Sequence, residues 1–117
     1  PPIKAAWPPL QGCWGQYCTQ ITGNYLFHSS PYNSPNKNDL SYRLYNQLGT
    51  VCSHGCVRLT VADAKWIYDN CPLGTTVSIY NASSLPVPKP SAPWLDISSP
   101  NRGWDPTDPD PANPWNK

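Results

Sequence analysis

Cys52-Ser53-His54-Gly55-Cys56-Val57-Arg58 gathers two thiols, an imidazole, a glycine and a guanidinium into seven residues. A thiol is mostly protonated at neutral pH, so a nucleophilic cysteine needs a base or a cation within hydrogen-bond reach. His28 and His54 are the only histidines in the chain. Gly55 lets the backbone turn sharply just before Cys56, leaving successive N–H groups free to meet an oxyanion beside the sulfur. The stretch therefore points to acyl transfer through Cys56, with a histidine as base.

Working outward, Trp14 to Ile21 alternates and is rich in aromatic and β-branched residues, Gly23-Asn24 supplies a two-residue turn, and Tyr25-Leu26-Phe27-His28 resumes an apolar strand. The segment reads as a hairpin; pairing Thr22 with Tyr25 places Thr19 opposite His28 and Cys18 opposite Ser29. Residues 29–50 are polar and punctuated by Pro31 and Pro35, which predicts a long surface loop, with a lid over a substrate groove as its sharper reading. Thr60 opens a helix with Asp63 completing an approximate capping box. Val61, Ala64, Ile67, Tyr68 and Cys71 share one face, and Pro72 with Gly74 ends the run. Thr75 to Tyr80 alternates and reads as a closing strand.

Both ends are proline-rich. Residues 1–12 hold four prolines and read as an irregular lead-in, and nine of the 35 residues from Ser83 onward are proline. The expected organisation is a core over residues 1–82 and a Pro/Trp-rich tail over 83–117 that packs on the core or extends from it. A chain of 117 residues with 16 prolines and no methionine is one small domain, not a helical bundle. The net charge of +1 argues against a nucleic-acid partner, and all seven acids are Asp, which removes mechanisms built on a Glu base or ligand.

Ser53-His54-Gly55-Cys56-Val57-Arg58, together with Gly23-Asn24-Tyr25-Leu26-Phe27-His28-Ser29 upstream and the segment from Asp63 to Val77 downstream, resembles the L,D-transpeptidases of bacterial cell-wall synthesis, the YkuD domain. The resemblance implies a mainly β, YkuD-like β-sandwich with one short helix and a proline-rich C-terminal tail. It implies Cys56 as nucleophile, His28 as base oriented by the carbonyl of Ser29, and amides of His54, Gly55 and Cys56 as the oxyanion hole. Arg58, Ser53 and Tyr25 fall at substrate-facing positions, and Arg suits a carboxylate through its bidentate fork. The implied substrates are peptidoglycan stem peptides, as acyl donor and amine acceptor, joined in 3→3 cross-links, with carbapenem β-lactams as inhibitors, no cofactor, and an exported location in the cell wall or periplasm. Water in place of the amine makes the same chemistry an L,D-carboxypeptidase. Family members carry strands ahead of the point where this chain starts, so a preceding segment or another chain is the expected source of those strands, and a non-catalytic wall-associated module is the competing reading.

Other chemistries fit less well. Cys52-x-His54-x-Cys56 lacks a zinc spacing and a fourth ligand, and Asp105, Asp108 and Asp110 do not follow a calcium loop. Trp94, Trp104 and Trp115 read as anchors of the tail. One nucleophile among five cysteines leaves Cys13, Cys18, Cys52 and Cys71, an even number that suggests two disulfides, with Cys18–Cys52 and Cys13–Cys71 the favoured pairing of three.

Overall fold

A computed structural model describes residues 4–10, 12–23, 25–49, 56–79 and 93–116. Four strands form the main sheet: β1 (Lys4–Ala5), β4 (Cys18–Thr22), β5 (Tyr25–Ser29) and β6 (Val57–Leu59), in the order β1-β4-β5-β6. Strands β2 (Pro9–Leu10) and β3 (Cys13–Trp14) make a separate two-stranded sheet. The β1/β4 and β4/β5 pairs are antiparallel, whereas β6 joins β5 in parallel. Parallel neighbours need a long crossover, and the residues between β5 and β6 supply it. The mainly β expectation holds.

The hairpin forms around Gly23, whose φ of +54° suits glycine, and Thr22 does pair with Tyr25. Its register differs from the alternation reading. A bulge at Ile21 puts two residues of β4 against one of β5, so Thr19 pairs with Phe27 instead of His28, and Cys18 comes opposite His28 instead of Ser29. A one-residue slip moves every side chain to the other face; this one brings Cys18 to the face of His28.

Helix α2 (Val61–Asn70) is where the capping signal placed it. The Thr60 hydroxyl accepts from the Asp63 N–H at 3.3 Å, and Val61 and Ala64 are fully buried. A second, short helix, α1 (Tyr42–Tyr45), lies within residues 29–50. That stretch is not a surface loop. Tyr32 bridges Trp14 and Leu40, and Tyr32, Leu40 and Tyr45 join Val61 and Leu95 in the core cluster. Burying these apolar rings against α2 outweighs the turn-forming content of the neighbouring Asn and Pro residues, and the lid reading loses its basis.

Residues 75–79 form no strand; Val77 and Ile79 are exposed, and among the described residues no neighbouring strand takes up their backbone groups. Tyr80 lies outside the described residues. The C-terminal stretch, by contrast, is ordered by its own side chains. Asp105, Asp108, Asp110 and Asn113 each accept from the N–H two residues on, at 2.7–3.1 Å. Such Asx turns are compatible with the proline that follows each Asx residue. This ladder leads into a 3₁₀ turn over Pro114–Asn116. Trp115 packs on the core and donates to the Asn101 carbonyl, whereas Trp94 is largely exposed. No helix among the described residues is long and apolar enough to cross a membrane.

Candidate active site

Strand register builds one face of the sheet. Cys18 on β4, His28 on β5 and Arg58 on β6 are lateral neighbours, because Thr19 pairs with Phe27 and His28 with Arg58. Side chains two residues apart on an extended chain point the same way, so Cys56, immediately before β6, belongs to the same face as Arg58. Strand spacing puts Cys56 and His28 on a diagonal about 8 Å apart at Cα, a span that an imidazole and a thiol cross between them.

His28 is 2% exposed, and its Nδ1 lies 2.5 Å from the carbonyl oxygen of Ser29. A carbonyl only accepts, so Nδ1 carries the proton and Nε2 is left with a lone pair. Burial lowers the His28 pKa below its ordinary value of 6.5, the Ser29 hydrogen bond opposes that drop, and the Arg58 guanidinium adds to it. The ring is therefore neutral at neutral pH, with Nε2 as its accepting nitrogen.

Two further thiols lie in electrostatic reach of Cys56. Burial pushes Cys18 up to about 12, helped by Cys56 and Cys13. Burial also raises Cys13, which feels Arg58 and Cys56. Both stay protonated at neutral pH and are poor nucleophiles. None of Cys13, Cys18, Cys56 and Cys71 is in a disulfide. The expected Cys13–Cys71 bond does not form because the sheet separates the two: Cys13 borders the Cys56 side, while Cys71 lines a cavity of about 440 Å³ with Thr19 and Phe27 on the opposite side. Cys18 is equally unbonded, so the expected Cys18–Cys52 pairing does not form either; Cys52 itself lies outside the described residues.

Arg58 holds its Nε and Nη1 buried with no hydrogen-bond partner among the described residues. Buried guanidinium nitrogens left without an acceptor are costly, and a carboxylate arriving beside them recovers that cost. Of the sequence-predicted residues, the fold thus gathers Cys56, His28, Ser29 and Arg58. Tyr25 is not among them: it is half exposed, three residues from His28, on the other face. Ser53, His54 and Gly55 lie outside the described residues.

Sequence reading missed a buried network behind the base. Gln16 and Ser29 exchange two hydrogen bonds, Ser29 N–H to Gln16 O at 3.0 Å and Gln16 N–H to Ser29 Oγ at 2.9 Å. The tail reaches the same region and also caps α2, where Asp105 Oδ2 accepts from the Val61 N–H at 3.0 Å and Thr107 Oγ1 from the Ala62 N–H at 3.0 Å. Asp105 is buried, which raises its pKa, while its Thr107 and Val61 bonds pull the other way. The repeated Asx-Pro pairs were the one signal of this docking in the sequence.

A family model described as the L,D-transpeptidase catalytic domain, YkuD, matches residues 4–79. The chain belongs to the YkuD family. Within that family it is 47% identical over 57 residues to a Bacillus subtilis (strain 168) protein named "Putative L,D-transpeptidase YciB". That match covers 49% of this chain and 28% of the relative, so the chain spans under a third of the length of the curated protein it matches. No solved structure matches the chain. The gathered face of Cys56, His28 and Arg58 thus sits inside a YkuD domain, a family of L,D-transpeptidases.

Proposed function

We propose that this YkuD domain carries a cysteine L,D-transpeptidase activity on peptidoglycan stem peptides in the cell wall or periplasm. The observation that carries the reading is the His28 ring: its proton is committed to the Ser29 carbonyl, which leaves Nε2 as the accepting nitrogen on a ring that shares a sheet face with Cys56. His28 Nε2 takes the Cys56 proton, and the thiolate attacks the carbonyl joining the L-centre of the third stem residue to the terminal D-Ala. The oxyanion is met by backbone amides of the His54-Gly55-Cys56 turn, as the family resemblance implies. The imidazolium returns its proton to the departing D-Ala amine, leaving a thioester on Cys56. A side-chain amine of a neighbouring stem then attacks the thioester, His28 accepts its proton, and the thiolate leaves as the 3→3 amide bond forms. Arg58 offers its unpaired guanidinium nitrogens to a substrate carboxylate.

Intact-protein mass spectrometry after mixing with a carbapenem tests the reading. The expected result is one adduct, mapped to Cys56 and lost in His28→Ala. A folded, reduced protein that takes up no carbapenem refutes it in favour of a wall-associated module without catalysis.

A further inference from the structure

Gln16 is 1% exposed, and its side-chain nitrogen, backbone N–H and backbone carbonyl are all engaged. Its side-chain Nε2 donates to Asp108 Oδ2 at 3.2 Å and to Tyr32 Oη at 2.9 Å. Its backbone carbonyl and N–H hold Ser29 from both sides, and Ser29 Oγ passes its own proton to the Ser30 carbonyl at 2.9 Å. Ser29 and Ser30 are fully buried, as is Tyr32, and Asp108 is 1% exposed. The Ser29 carbonyl, fixed by this grip, is the group that accepts from His28 Nδ1.

The backbone around Gln16 is shaped for the task. Tyr17 next to it adopts φ +52°, a left-handed conformation that a non-glycine side chain adopts at a cost. Gly15 before it leaves little room for a side chain: an added Cβ would lie 3.0 Å from Leu10 Cδ1, 3.3 Å from Cys18 Sγ and 3.4 Å from His28 Cβ. The segment 15–17 is thus pressed against His28 on one side and tied to the C-terminal tail on the other.

We propose that Gln16, anchored by Asp108, is a positioning residue that sets the tautomer and orientation of the His28 base through Ser29. The inference deepens the transpeptidase reading and rests on it. Without the anchor, Gln16 is a buried amide with an unmatched donor, and the peptide unit of Ser29 loses its outer support. The ring then samples orientations in which Nε2 no longer meets the thiol.

The test reverses the polarity of the pair in the full chain. Gln16→Glu sets two carboxylates against each other. Gln16→Glu with Asp108→Asn restores a donor–acceptor pair, with the amide now at position 108, at the net charge of the natural chain. The readouts are the pH profile of Cys56 alkylation by iodoacetamide and the ¹⁵N shifts of the His28 ring; among the described residues Arg58, Cys13, Cys18 and Cys56 are the charged or titratable groups on that side of the sheet, and they are left unchanged. Gln16→Glu is expected to slow alkylation at neutral pH by about tenfold or more, a part of what a general base contributes, and to mix the His28 tautomers. The double variant is expected to recover most of the rate and the single tautomer. Asp108→Asn alone, close in size to the natural residue, is expected to move both readouts in the same direction and serves where Gln16→Glu does not fold. Folded variants with natural tautomer and profile overturn the proposal, as does a double variant that regains its melting temperature and not its rate. An unreactive Cys56 in the natural chain overturns the transpeptidase reading instead, and the ring shifts still decide the role of Gln16.

Discussion

Gly103 joins the tail to the core at a point with no space for a methyl group. A Cβ built there would overlap the carbonyl oxygen of Asn38 and lie 3.0 Å from its carbonyl carbon, while the Gly103 carbonyl accepts from the Leu40 N–H at 2.9 Å. The clashing atoms are backbone, so no rotamer change relieves them. Gly103→Ala must separate the two segments. The strain of such overpacking is about 1–3 kcal/mol, and the weakened Leu40 hydrogen bond adds about 1 kcal/mol. For 117 residues the unfolding entropy is about 0.25 kcal/mol/K, so a loss of about 2–4 kcal/mol lowers the melting temperature by about 8–16 °C. Thermal melts of the natural chain and Gly103→Ala, followed by near-ultraviolet circular dichroism, measure this. A shift smaller than about 2 °C refutes the reasoning, because it means that the tail is not seated against Asn38.

Since burial and Arg58 hold His28 below 6.5, its neutral form is the one the fold favours. The stability it contributes is complete above the ordinary imidazole range and is lost as pH falls from there through the lowered value. The acid limb of Cys56 alkylation is accordingly expected below pH 6.5, moving upward in Arg58→Gln; a limb at or above the ordinary value, unmoved by the substitution, contradicts this assignment. With Cys18 held up at about 12 by burial and Cys13 also raised, limiting iodoacetamide at pH 7 is expected to label Cys56 ahead of both, and equal labelling in a peptide map counts against Cys56 as the nucleophile. Thr60→Ala removes the cap on α2 and is expected to cost about 1 kcal/mol, read by urea denaturation. An unchanged urea midpoint shows that Asp105 and Thr107 cap the helix without it.

What was legible in the sequence was local. The cysteine motif, the histidine after an apolar strand, and a helix opened by Thr60 and closed before Pro72 are each written in a short run of neighbouring residues, and the structure keeps the helix and gathers Cys56, His28 and Arg58. The bulge at Ile21 has no such signature, since Trp14 to Ile21 alternates as a regular strand does. It nevertheless decides which thiol faces His28. Tyr32, Leu40 and Tyr45 follow neither a strand nor a helical period, so their place in the core came from packing against distant residues. Among the described residues of the tail no strand and no helix beyond the 3₁₀ turn over Pro114–Asn116 forms, and the same prolines are compatible with the Asx turns that order it. The closing strand over Thr75 to Tyr80 had the right alternation, and among the described residues no strand lies beside 75–79 to pair with it. Alternation describes a face, and pairing requires a second strand.

The anchor of Gln16 sits 92 residues away along the chain, and the tail cap on Val61 is 44 residues from its helix. Contacts of such separation form late, because the loop between them must close first. On a ribosome, about 50 residues follow the nucleophile before Asp108 is made, which at about 5–20 residues per second takes about 3–10 s. Through that interval Cys56 is an ordinary thiol on a nascent chain, without an oriented base. On the proposed roles of Cys56, His28 and Gln16, reactivity is switched on by completion of the tail, and a chain stopped short of Asp108 would carry the cysteine motif intact and chemically dormant.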